Sequence, residues 1–246
     1  MSEVIAETPA TYPLTNSEAV IQLHIKRGDK TETIQHKLRR PSLAELIERE
    51  QQSVAEVEEV APNEDAWHED SQAASGKLWD KCVVGVTGYR IGGELAADFV
   101  AVSPDIAAKI PLAHKVTAIS GLYLAKCTVE QGEEEGFSLD GDTHTIRQAI
   151  GAGDEPEFML LHTLRQPTEA ELRDYNKRAS TATSVSGSRK RKIRVRTNLK
   201  ADVELYDKLA VSLTGATPPE PRLVDPIFKR QVVQTLIASL NASLLD

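Results

Sequence analysis

The side chains best suited to proton transfer or metal binding in this sequence are six histidines: His24, His36, His68, His114, His144 and His162. None stands in an HExxH or HxxxH arrangement, and no carboxylate lies at a helpful helical offset, so the spacing builds no metal site. Cys82 and Cys127 lie 45 positions apart without a CxxC pairing and read as small buried apolar residues. No serine or cysteine has a nucleophile setting such as GxSxG. The glycine-rich GVTGYRIGGE at 85–94 lacks the lysine and hydroxyl of a phosphate loop and follows a helical pattern, so it reads as a helix end and a turn. DGDTH at 140–144 starts like a calcium loop but has no closing glutamate twelve positions in, which leaves a solvated turn. The chemistry the sequence supports is therefore non-enzymatic, with no catalytic, cofactor or metal residue to name.

Charge points to binding of another kind. With 29 basic and 37 acidic residues the net charge is −8, which argues against a general nucleic-acid binder. Yet residues 129–142, VEQGEEEGFSLDGD, carry only acidic charges, and residues 187–200, GSRKRKIRVRTNLK, only basic ones. Arg189, Lys190, Arg191, Lys192, Arg194, Arg196 and Lys200 allow three readings: a solvated mobile loop, a nucleic-acid-binding regulator using residues 189–200, or a dock for an acidic protein surface. The last includes the acidic stretch of another copy, hence a homo-oligomer. No aromatic residue is interleaved to stack bases, which weakens the nucleic-acid reading.

The elements that position these residues are written twice. HKLRRPSLAEL at 36–46 returns as HTLRQPTEAEL at 162–172, 126 positions later. LWDKCVVGVTG at 78–88 returns as LYDKLAVSLTG at 205–215, an offset of 127, and Ile21, Ile25, Gly28 and Asp29 align with Ile146, Ile150, Gly153 and Asp154 at an offset of 125. Three collinear matches with small drift indicate a tandem duplication. The repeat pairs His36 with His162 and Arg39 with Arg165. Each histidine either serves a site or bonds locally at a strand end. Each arginine either clamps an acidic partner or ties its hairpin to a nearby helix carboxylate.

Each copy opens as a hairpin: IQLHIKR, a Gly28-Asp29 turn and TETIQHKLR; then TIRQAIG, a Gly153-Asp154 turn and EFMLLHTLR. Pro41 and Pro167 end the second strand, because neither can donate a ladder hydrogen bond. Ser42 with Glu45, and Thr168 with Glu171, form S/T-x-x-E capping boxes that start a helix. A second helix carries Leu78, Trp79, Cys82, Val83 and Val86, matched by Leu205, Tyr206, Leu209, Ala210 and Leu213, with Gly88 and Gly215 as helix terminators. A proline then precedes a third helix, with Leu112, Val116, Ile119 and Tyr123 in line in one copy and Phe228, Val232, Leu236 and Leu240 in the other.

The expected organisation is an N-terminal tail (1–16), a first unit (17–128) with an inserted helix and loop at 89–109, an acidic linker (129–142) and a second unit (143–246) with the basic loop 187–200. Residues 179–188, ASTATSVSGS, read as a flexible lead into that loop. The fold class is α+β, predominantly α. Hydrophobic residues make up 40% and aromatics 4%, so the cores rest on Leu, Ile, Val and Ala. No run of 18 apolar residues occurs and the start lacks a signal-peptide pattern, which implies a cytoplasmic protein with no membrane segment.

A unit of hairpin, L-R-x-P-[ST], capped helix and a later V-T-G or L-T-G resembles the tail assembly chaperones of tailed bacteriophages and related contractile particles. The matching residues are Leu38, Arg39, Pro41, Ser42, Val86, Thr87 and Gly88, then Leu164, Arg165, Pro167, Thr168, Leu213, Thr214 and Gly215. The resemblance implies a non-catalytic protein of the host cytoplasm that binds a helical tape-measure or tail-tube protein, with a tail structural component as the alternative. Two units in one chain and the insertion depart from the single-unit pattern of that family. The partner contact is expected on Trp79, Val83, Val116, Ile119, Tyr123, Tyr206, Leu209, Phe228, Val232 and Leu236, because amphipathic helices offered in tandem can cover exposed apolar stripes of a partner.

Overall fold

The computed structural model describes residues 11–27, 30–59, 64–130, 143–151, 156–179, 181–184, 192–195 and 198–242. In chain order the elements are β1 (Tyr12–Pro13), β2 (Glu18–Arg27), β3 (Lys30–Arg39), α1 (Leu43–Glu59), α2 (Glu64–Cys82), β4 (Val83–Thr87), β5 (Arg90–Ile91), β6 (Glu94–Leu95), β7 (Val100–Ala101), α3 (Pro104–Lys109), α4 (Leu112–Gly121) and β8 (Ala125–Glu130). Then follow β9 (Thr143–Ile150), β10 (Phe158–Arg165), α5 (Glu169–Ala179), β11 (Thr181–Ser184), β12 (Lys192–Val195), α6 (Leu199–Leu209), β13 (Ala210–Thr214), β14 (Ala216–Thr217), a 3-10 turn (Pro221–Leu223) and α7 (Pro226–Ala242). The fold is mixed α+β. The chain forms two compact units, one of Asn16–Tyr123 with Ala179–Asn198, the other of Met1–Thr15, Leu124–Arg178 and Leu199–Asp246.

In the first unit the sheet order is β2-β3-β4-β7, antiparallel throughout. Alternation decides its faces: Leu23, Ile34, His36, Leu38 and Val86 are buried, while Val20, Gln22, His24 and Thr33 are exposed. Above the buried face Trp79 of α2 and Ile119 of α4 are almost fully enclosed. Burying a leucine such as Leu38 contributes about 2 kcal/mol each time.

In the second unit the order is β13-β10-β9-β8. Ile146, Leu160, Leu164 and Leu213 are buried with Tyr206 of α6 and Phe228, Val232 and Leu236 of α7. The registers of the two sheets coincide: His36 lies between Ile21 and Val86, and His162 between Ile146 and Leu213. Each middle strand shifts register against the third strand one step before a leucine, at Lys37/Leu38 and at Thr163/Leu164.

Several expectations give way here. The predicted second helices do not run to Gly88 and Gly215. They stop at Cys82 and Leu209, and Val83–Thr87 and Ala210–Thr214 continue directly as strands. An apolar spacing of four disguised them, since Leu78, Cys82 and Val86 fit a helical face as well as a helix followed by a strand. With these strands the fold holds two four-stranded sheets beside its helices and is mixed α+β. Gly88 and Gly215 follow strands, both at φ 80°, and a Cβ there would stand 2.5 Å from the Thr33 carbonyl oxygen and 2.0 Å from that of Met159.

The boundaries shift too. Residues 12–13 of the expected tail form a strand parallel to β14, and Tyr12 packs edge-on against Phe158 and Phe228, with centroids 5.3 and 5.9 Å away. Residues 125–130, placed at the end of the first unit and the start of the linker, pair with β9 as an edge strand of the second unit. The insertion 89–109 holds the β5–β6 hairpin, β7 and the short α3, where one helix and a loop were expected. Thr181–Ser184 of the expected linker pairs with Lys192–Val195 of the basic run. Both glycine turns, residues 131–142, residues 185–191 and residues 196–197 lie outside the described residues, so most of the acidic linker and half of the basic loop do too.

Candidate functional site

The repeated junction is built from one arginine, one hydroxyl residue and one glutamate. Arg39 donates through both terminal nitrogens to Glu45, at 2.9 and 2.6 Å, and Arg165 does the same to Glu171 at the same distances. Each glutamate also accepts from the cap amide, Ser42 N or Thr168 N at 2.9 Å, while the cap hydroxyl accepts from the glutamate's own amide at 3.3 Å. Both capping boxes are thus formed, and of the two roles open to each arginine the structure shows the tie to its helix carboxylate. The guanidinium beside it holds each carboxyl down to about 2, and Arg39 and Arg165 are raised in turn. Arg39 also donates to the Lys81 carbonyl at 2.9 Å, which joins β3, α1 and the end of α2.

Beneath each sheet lies a buried histidine. Trp79 Nε1 donates to His36 Nδ1 at 2.9 Å. Indole can only donate, so neutral His36 carries its proton on Nε2 and donates to the Tyr89 oxygen at 3.0 Å; the Tyr89 hydroxyl then donates to His114 Nδ1, also 3.0 Å away. In the second unit Gln148 donates through Nε2 to Gln231 at 2.9 Å, which turns its carbonyl oxygen to His162 Nε2 at 3.2 Å and leaves Nδ1 to accept from Tyr206 at 2.8 Å. Both histidines therefore share one tautomer and one kind of donor, an aromatic residue of the second helix. Desolvation lowers each to about 4, with His114 adding repulsion at His36, so both rings are neutral near pH 7. A strand-end residue bonding locally, the plainer of the two sequence readings, is corrected: the partners are 43 and 44 positions away.

A lysine sits over each of these aromatic rings. Lys115 of α4 binds Asp80 at 2.6 Å with its ammonium 4.9 Å from the Trp79 ring centre, and Lys229 of α7 binds Asp207 at 2.6 Å, 5.4 Å from that of Tyr206. The sequence signal for the carboxylates was the W-D-K and Y-D-K match. The lysines escaped notice because the third helices match only weakly, and an offset of 114, set by this pair, is what aligns them.

The expected partner-binding residues fall inside. Trp79, Tyr206, Leu209, Phe228, Val232 and Leu236 have no exposed surface and Ile119 almost none, while Val83, Val116 and Tyr123 are half-buried. As a free binding stripe these helices are corrected: their apolar faces are spent on packing. On α4 the buried face is Lys115, Ala118 and Ile119, with Leu112 exposed, which rotates the predicted line. Lys200, the last cation of the basic run, starts a turn of α6 within 3.9 Å of Glu204.

Desolvation pushes the thiols of Cys82 and Cys127 up to about 11, and raises the hydroxyls of Tyr89 and Tyr206 as well, so none is a ready nucleophile at neutral pH. Among the described residues no group of three His, Cys, Asp or Glu could hold a metal ion, and no helix is long and apolar enough to cross a membrane. A surface recess of about 240 Å³ is lined by Asp207, Ala210, Val211, Glu220, Pro221 and Arg222, but Asp207 is already committed to Lys229. What the geometry offers is two compact units, each with a histidine cluster inside an apolar core and with strand edges that no described strand pairs. No family model, no curated protein and no solved structure matches the chain.

Proposed function

We propose that this chain is a duplicated, non-enzymatic binding protein that acts as a chaperone in assembly of a phage tail or related contractile particle, in the host cytoplasm. The observation that supports it is the junction of Leu-Arg-x-Pro-Ser/Thr with its capped helix, present in both units with the same arginine fork and the same three-strand register. Such agreement in atoms that no chemistry demands favours descent of both units from one module, and that module is where the resemblance lies.

The partner is a tape-measure or tail-tube protein. Because the helical stripes are buried, the contact moves to apolar residues left in solvent: Leu95, Phe99 and Val100 in one unit, and Val211 and Leu223 in the other. Co-expression with a tape-measure protein tests the reading. Co-purification, together with a gain in tape-measure solubility that Phe99→Asp reduces, is expected. An insoluble tape measure that never co-purifies would overturn it.

A further inference from the structure

The four edges of the two four-stranded sheets are unequal. β7 offers two residues, β13 five and β8 six, whereas β2 offers ten, Glu18 to Arg27, paired with β3 on its other side without a bulge or a proline. No strand among the described residues pairs with the outer edge of β2. The corresponding edge in the second unit is filled. β9, whose Ile146 holds the register position of Ile21, carries β8 antiparallel along Ala125 to Glu130. A long, regular, open edge is an invitation to further pairing.

We infer that the β2 edge pairs antiparallel with β2 of a second copy of this chain, making a two-fold dimer with a continuous sheet. The sequence of the strand, EAVIQLHIKR, fits itself in this direction. Its faces must match across the joint, so partners need equal parity, and a dyad through Gln22 satisfies this. Glu18 then faces Lys26 of the second copy at both ends of the ladder, and Val20 faces His24 on the open side. On the core side Ala19 meets Ile25, and Ile21 meets Leu23. Acid at one end and base at the other reward antiparallel pairing and penalise parallel pairing, where like charges would face each other. Val20, half exposed in the single chain, gains a neighbour. Isologous closure also ends the assembly at two, which explains how a ten-residue edge is tolerated without a protective charge or bulge at its centre. This inference does not depend on the assembly role.

Sedimentation of the full chain across micromolar to sub-millimolar concentrations, with Gln22→Lys, Gln22→Glu and Ser212→Lys alongside, tests it. The wild type should sediment at twice the chain mass. Gln22 is exposed, so both changes at this position should fold, and each should weaken the dimer by about tenfold or more by setting like charges across the dyad. An equimolar mixture of the two Gln22 variants should restore it as a heterodimer, while Ser212→Lys, exposed on the β13 edge, should change nothing. A monomeric wild type, a dimer indifferent to Gln22, or a mixture that fails to recover would each overturn the inference.

Discussion

His36 and Trp79 are joined by a 2.9 Å hydrogen bond beneath a sheet, and their positions in the second unit, His162 and Tyr206, keep the same bond at 2.8 Å with a different donor. An indole and a phenol have little in common except an apolar ring and one hydrogen to give. The exchange shows that what each interior requires is a donor to Nδ1, since an unmet acceptor buried there would cost about 1–3 kcal/mol.

Stability should therefore fall with acidity in two stages. Each histidine titrates near 6.5 when unfolded and near 4 when folded, so between these values the unfolded chain binds more protons and stability drops as the pH falls. The loss amounts to at most about 3 kcal/mol per histidine. Below pH 4.5 the glutamates take over. Glu45 and Glu171 titrate at about 2 in the fold, and their contribution drains away as pH falls from 4.5 through 2. Urea unfolding between pH 7 and 4 should show the first stage, and His36→Gln with His162→Gln should flatten it; an unchanged slope in that variant would refute the assignment.

Replacing Glu45 or Glu171 with alanine removes a cap partner and one half of an arginine fork together. A loss of about 1–2 kcal/mol is expected for either, with the glutamine variants losing less because one acceptor remains. Chemical denaturation at pH 7 measures it.

Gly215→Ala should be far more damaging than Gly92→Ala. Both glycines have positive φ, but a Cβ on Gly92 meets nothing within 4 Å, whereas one on Gly215 collides with the Met159 carbonyl oxygen. The left-handed backbone alone costs about 1 kcal/mol, and the collision should raise the cost at Gly215 beyond about 3 kcal/mol. Equal melting temperatures for the two variants would contradict this.

The lysines over the aromatic rings give a directional test. Lys229 is 5% exposed and Asp207 39%, so Asp207→Ala strands a buried ammonium while Lys229→Met leaves a carboxylate that water can reach. Expected losses are about 2–3 kcal/mol for the first and under about 1.5 kcal/mol for the second. The reverse order in thermal denaturation would show that water reaches the ammonium.

Much of the local architecture was legible in the letters. The hairpins, the proline stops, the capping boxes and the arginine-to-carboxylate tie all rest on residues within a few positions of each other, and all are present in the structure. Cys82 is buried as read, and Cys127 is half-buried and also free of a disulfide. The third strands were missed because nothing breaks the chain at Cys82 or Leu209, and a strand without a breaker declares itself only through its ladder. The histidine clusters were missed for a similar reason: Trp79, Tyr89 and His114 are separated from His36 by 43 to 78 positions, and no local pattern records which of them will meet.

By itself, then, the sequence determined where strands turn into helices, because caps, prolines and alternation act over a few residues. Tertiary structure decided which apolar faces would be used up and which edges left open. That choice depends on how sheet and helices compete for one another's surface: the stripes that looked available for a partner lie inside, and among the described residues the longest edge left without a neighbouring strand is that of β2.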